Sequence, residues 1–209
     1  MNELFAKGDT SATFRNHSHK LNKTIEGFSD QKILNTDFDE LVQYYFDDSK
    51  IQPVSLLLDN ISQSLSKTTL KRHNPFHSHG ACEPEFYDVE GYKITFTIPF
   101  DGDGGLLHLR PSTWIMTRFP VEKIVDGTDD SYGKVVIALE YTKQELEGKD
   151  DPKEFIANQF PQYSKNYIEM INNINNEVDT YNSGLENIIR SALENRKKKR
   201  TCCRLGSRI

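Results

Sequence analysis

The densest gathering of chemistry-bearing side chains is the stretch RHNPFHSHGACE, where His73, His77, His79, Cys82 and Glu83 fall within eleven residues. Zinc takes nitrogen and sulfur donors in a tetrahedron, and His-x-His or His-x3-His spacing can supply two of the four. The stretch has no CxxC partner, however, and Pro75 and Gly80 make it a loop. Solvated histidines on a loop are the favoured reading, so no metal or other cofactor is expected. His73, His77, His79 and Cys82 remain the metal candidates, with His108 elsewhere. A catalytic zinc would also need a general base beside an open coordination position, and none is identifiable.

Other constellations are weaker. DGDGG (101–105) begins like a calcium loop, but Ser112 stands where the bidentate acid belongs, which favours a tight turn. No GxxxxGK[ST], GxGxxG or GxSxG occurs, which removes the common nucleotide and hydrolase fingerprints. The one E-x-K, Glu147-Gly148-Lys149, lies in a polar run rather than on an apolar strand, so it is not read as a nuclease set. In LHLRPSTW, Arg110 precedes a proline and stands near Trp114, the single tryptophan. An Arg beside an aromatic is usually structural, but the pair is also a candidate ligand corner, because binding sites favour both residues.

The elements that would position these groups read as α+β: an N-terminal helical part, an antiparallel sheet in the middle and a long C-terminal helix. The polar opening, residues 1–30, is expected to be at best partly ordered, ahead of a globular domain over 31–150. Thr36 precedes DFDELVQYYF, whose Phe38, Leu41, Val42, Tyr45 and Phe46 share one helical face. After Pro53, the spacing of Leu57, Ile61 and Leu65 favours a second helix over 54–70. YKITFTIPF alternates apolar and polar residues as a half-buried strand does, and DGDGG should turn it into a hairpin with LLHLR. A strand at KVVIALEYT and one around 121–125 complete the sheet.

Residues 151–200 carry the clearest pattern. Tyr167, Ile171, Ile174, Val178, Tyr181, Leu185, Ile188 and Ala192 recur at alternating spacings of four and three. This is the 3.5-residue period of a coiled-coil seam. The Asn, Glu, Asp and Lys between them can face water. At ~1.5 Å per residue a helix from 164 to 200 would reach roughly 55 Å. It either packs along its own domain or pairs through 163–200 with a second copy or a neighbouring helix. Gly184 weakens it by roughly 1 kcal/mol relative to Ala.

Charge is divided unevenly. Residues 196–209 hold seven of the 26 basic side chains and no acidic ones, leaving 19 against 31 acidic, or −12, for residues 1–195. So acidic a body would repel a phosphate backbone, and direct nucleic-acid binding by it is not expected. Cysteine usage, Cys82 alone and Cys202 beside Cys203, shows no disulfide framework. No apolar run nears the ~20 residues of a membrane span, and the N-terminus lacks the apolar core of a signal peptide. A cytoplasmic protein without a membrane partner is expected.

A strand ending IPFDGDGGLLHLRPSTW, a later apolar strand, then a helix with Tyr181-Asn182, Leu185, Arg190 and ALENRKKK resembles the N-terminal half of a bacterial two-domain family. There this half precedes a restriction-endonuclease-like domain of the PD-(D/E)xK type. The resemblance covers residues 85–200 and implies a non-catalytic sensing, regulatory or assembly module of a nuclease, in anti-phage defence for example. No catalytic residue carries over. The alternatives are a metal-dependent enzyme using the His-rich loop, or a helical partner-binding module. Residues 201–209 are expected to be a tail foreign to the protein, because Gly206-Ser207-Arg208-Ile209 is what two abutting cloning-site hexamers would encode. The rival reading of that tail, palmitoylated Cys202 and Cys203 in a basic segment, would place it on a membrane surface.

Overall fold

The computed structural model describes residues 2–75, 84–128 and 130–206. In chain order its elements are β1 (Asn2–Glu3), β2 (Gly8–Asp9), α1 (Thr10–Glu26), α2 (Asp30–Asn35), α3 (Phe38–Ser49), β3 (Ser55–Leu56), β4 (Ser62–His73), β5 (Phe86–Asp101), β6 (Leu109–Arg110), β7 (Pro120–Val121), β8 (Lys123–Val125), β9 (Gly133–Thr142), α4 (Lys143–Glu147) and α5 (Pro152–Gly206). Short 3-10 turns lie at Leu58–Asn60 and Gly104–His108. The fold is α+β with a long C-terminal helix, as expected. None of the described helices is long and apolar enough to cross a membrane. Two compact units result, each gathered from three separate segments rather than from the successive stretches 31–150 and 151–200. One joins Met1–Leu4, Ser55–Gly104 and Thr117–Glu169; the other joins Phe5–Val54, Gly105–Met116 and Met170–Ile209.

The first unit is organised by β5. Ile94, Phe96, Ile98 and Phe100 are buried in alternation along it, as a strand covered on one face requires. On one edge it pairs antiparallel with β9 from Gly91 to Phe100, and β8 continues the sheet. On its other edge lie β4, paired from Phe86 to Thr97, and β3. Ile94, Phe96 and Leu139 pack against Leu146 of α4 and Ile156 of α5, with Phe155 and Phe160 beside them. α4 starts with a capping box: Thr142 and Glu145 each accept a hydrogen bond from the other's backbone N–H.

Two expectations about the neighbours of β5 fail. Residues 54–70 do not form a helix. The four-residue spacing of Leu57, Ile61 and Leu65 is outweighed by the Ser- and Thr-rich run from Ser62, which finds twelve consecutive partners on β5. Tertiary pairing overrides a short-range period there. The hairpin with LLHLR is also absent. After DGDGG the chain makes a 3-10 turn that buries Leu106 and Leu107, and β6 pairs in parallel with β2 instead. Strand β5 finds its neighbours in β4 and β9, which offer longer ladders than five residues could.

The second unit is helical. The polar opening stretch is ordered as α1, 17 residues capped by Asp9, whose carboxylate accepts from Ala12 N at 2.7 Å. Phe14, Leu21 and Ile25 form its buried face. They are too few to stand out against the Asn, His and Lys around them. α3 is capped by Asp37, one residue later than Thr36. Leu21, Ile25, Ile33, Leu41 and Tyr45 from α1 to α3 meet Leu185, Ile189 and Leu193 of α5 in one core. α5 runs past Arg200 to Gly206.

Candidate functional site

Asparagine is a mediocre helix former, yet the middle of α5 reads INNINNEVDTYN from Ile171 to Asn182. The structure gives the reason. Asn182 donates from Nδ2 to the carbonyl of Ile51 at 2.8 Å and accepts from the Ile51 N–H at 3.2 Å. Asn175, seven residues earlier, does the same to Val54, at 2.8 Å to the carbonyl and 3.0 Å from the N–H. Two side-chain amides thus satisfy donor and acceptor on each of two residues of a segment outside any helix or strand. The geometry is self-consistent: seven helical residues rise ~10.5 Å, and three residues of extended chain span roughly 10 Å. Pro53 lies between the two gripped residues; it has no N–H to leave unpaired and favours the extended conformation.

A second set of α5 side chains grips the 110–116 loop in the same way. Asn173 donates to the Thr113 carbonyl at 3.0 Å, and Met170 sulfur accepts from Ile115 N at 3.4 Å. Glu177 accepts from Ser112 N at 2.6 Å and, with its other oxygen, from the hydroxyl of fully buried Thr10. Residues 170, 173 and 177 share one helical face. These asparagines and Glu177, expected to face water, instead hold backbone. Their density in a helix interior is the sequence signal that could have found them.

The Arg110 and Trp114 corner sits on this gripped loop. The Arg110 guanidinium lies 5.0 Å from the Trp114 ring centre, and Trp114 is 43% exposed. The pair is therefore a solvent-facing cation–π contact. Of the metal candidates, His73 ends β4 with its ring edge-on to Phe86 at 5.7 Å. His77, His79 and Cys82 lie outside the described residues. Among the described residues no group of three His, Cys, Asp or Glu is placed to hold a metal ion.

The seam residues divide between the units. In the first, the Tyr167 hydroxyl donates to the Pro120 carbonyl at 2.9 Å, and burial raises its pKa above the ordinary tyrosine value. In the second, Ile171, Ile174, Val178, Leu185 and Ala192 are buried, and Tyr181 and Ile188 are half-buried. Ile189 and Leu193 join them, so the apolar stripe is broader than a coiled-coil seam and serves a core within one chain. Tyr181 stacks on Phe14 at 4.9 Å and lies 2.7 Å from His17 Nδ1. Ser18 donates to the Tyr181 oxygen at 3.3 Å, which leaves the tyrosine proton for the imidazole. Burial, reinforced by the charge of Lys20, holds His17 below its ordinary pKa.

The basic end of α5 is also engaged. Arg196 donates to the Phe28 carbonyl at 2.7 Å and to Asp30 at 2.8 Å. Lys199 pairs with Glu26 at 2.8 Å, and Arg190 with Asp39 at 2.7 Å. These cations close the C-terminal end of α1 and the helices that follow it.

No family model, curated protein or solved structure matches the chain.

Proposed function

We propose that this chain is a non-catalytic regulatory module whose working element is α5, a helix that holds extended segments of polypeptide by their backbones. The observation that carries this reading is the double amide grip of Asn175 and Asn182 on residues 51 and 54. Side chains that read backbone rather than side chains suit a scaffold that arranges peptide segments. Glu177, Asn173 and Met170 extend the same habit to residues 112–115. In the setting implied by the resemblance stated above, the module would sense or assemble for a bacterial nuclease carried on another domain, with the chemistry performed there.

Purified protein incubated with supercoiled plasmid in magnesium or manganese tests this. No cleavage and no retained zinc after dialysis are expected. Cleavage or stoichiometric zinc that disappears in a His73→Ala variant would replace the proposal with the metal-enzyme reading.

A further inference from the structure

We infer that the groove between α1 and the last third of α5 docks an extended peptide of a partner protein, gripped by Asn187, Ser191 and Asn195. The inference rests on the reading of α5 as a backbone-holding helix and gives that helix an external ligand. The groove encloses about 800 Å³ and lies wholly within the helical unit. Its amide and hydroxyl groups come from Asn187, Ser191 and Asn195 on α5 and from Asn22 on α1. None of these four side chains has a hydrogen-bond partner among the described residues, in contrast to Asn173, Asn175 and Asn182 on the same helix.

The spacing fits an extended chain. Asn187, Ser191 and Asn195 follow one another at four residues, a rise of ~6 Å per step. Two residues of extended polypeptide advance ~6.6 Å, so successive groups meet equivalent positions of a strand-like ligand. The internal precedent, at a spacing of seven helical residues to three extended ones, shows the sense: Asn182 holds Ile51 and Asn175 holds Val54, so the gripped segment runs antiparallel to α5. The floor adds an apolar contact, half-buried Ile188 beside buried Ala192.

Charge selects among peptides. At the rim Glu26 is paired with Lys199, and this contact holds its carboxyl below the usual carboxylate range. Lys23 has no carboxylate partner among the described residues, and His19 lies on the same rim. The occupant is therefore an extended segment with an apolar residue for Ile188 and an acidic residue for Lys23.

The test is selection from a phage library of random peptides about 12 residues long, enough at ~3.3 Å per residue to pass all three groups. Wild-type chain serves as bait and an Asn187→Ala, Asn195→Ala variant as counter-selection. Enrichment of peptides with acidic and apolar residues is expected. The best of them, synthesised, should bind the double variant at least about tenfold more weakly, a loss of ~1.4 kcal/mol. It should bind an Asn172→Ala control as tightly as wild type. All three proteins should give the same far-UV circular dichroism, since the substituted side chains are exposed. The inference is overturned if nothing is enriched over counter-selection, or if NMR shows the bound peptide to be helical. It is equally overturned if sedimentation shows a second copy of the chain filling the groove. A failed selection leaves the nuclease and zinc result standing, so the two readings fail separately.

Discussion

Asn182 and Asn187 are five residues apart on one helix, and replacing each by alanine should move stability in opposite directions. Asn182 is 8% exposed and makes two hydrogen bonds to Ile51. Each is worth about 1 kcal/mol net, and their loss strands a backbone N–H and a carbonyl. Against that loss of about 2 kcal/mol stands the better helix propensity of alanine, about 0.6 kcal/mol. Asn182→Ala should therefore destabilise the protein by about 1.5 kcal/mol. Asn187 is exposed and its side chain bonds no described residue, so Asn187→Ala should keep only the propensity gain, about 0.6 kcal/mol. Urea unfolding followed by far-UV circular dichroism and by the fluorescence of Trp114 measures both, and the variants should lie about 2 kcal/mol apart. If both are neutral, or both stabilise, the amide grip on residue 51 contributes nothing and the reading of α5 fails with it.

Three further outcomes follow from local geometry. A Cβ on Gly133 would sit 2.3 Å from Phe100 Cζ, inside the sheet core, so Gly133→Ala should cost about 1–3 kcal/mol by overpacking, read as a lower urea midpoint. Gly184, by contrast, has open space where a Cβ would go, and Gly184→Ala should raise the melting temperature through a gain of up to about 1 kcal/mol. Stability should fall in acid because His17 binds its proton less readily folded than unfolded. The contribution is complete above the unfolded value near 6.5 and is lost as pH falls from there through the lower folded value. His17→Gln, which can still accept from Tyr181, should narrow the gap in urea midpoint between about pH 7.5 and about pH 5; an unchanged gap would assign the acid sensitivity to other groups.

Elements whose pattern is local and repeated are legible from the residues alone. The alternation in YKITFTIPF, the apolar start of KVVIALEYT and the long period from Tyr167 to Ala192 all appear where expected. Each follows from the geometry of one strand or one helix, in which side-chain direction repeats every two or every 3.6 residues. The tertiary structure decided the partners. Whether Ser62–His73 is helix or strand depends on twelve residues of β5 lying 13 to 35 positions further along the chain, and LLHLR is left to β2 because β4 and β9 already occupy both edges of β5. The same holds for the candidate site. Only the fold brings Ile51 to Asn182 and Ser112 to Glu177, because a backbone group carries no sequence signature for the side chain that will hold it. What the sequence did carry was the excess of asparagine in a helix, a residue type the helix itself does not favour and the gripped segments require.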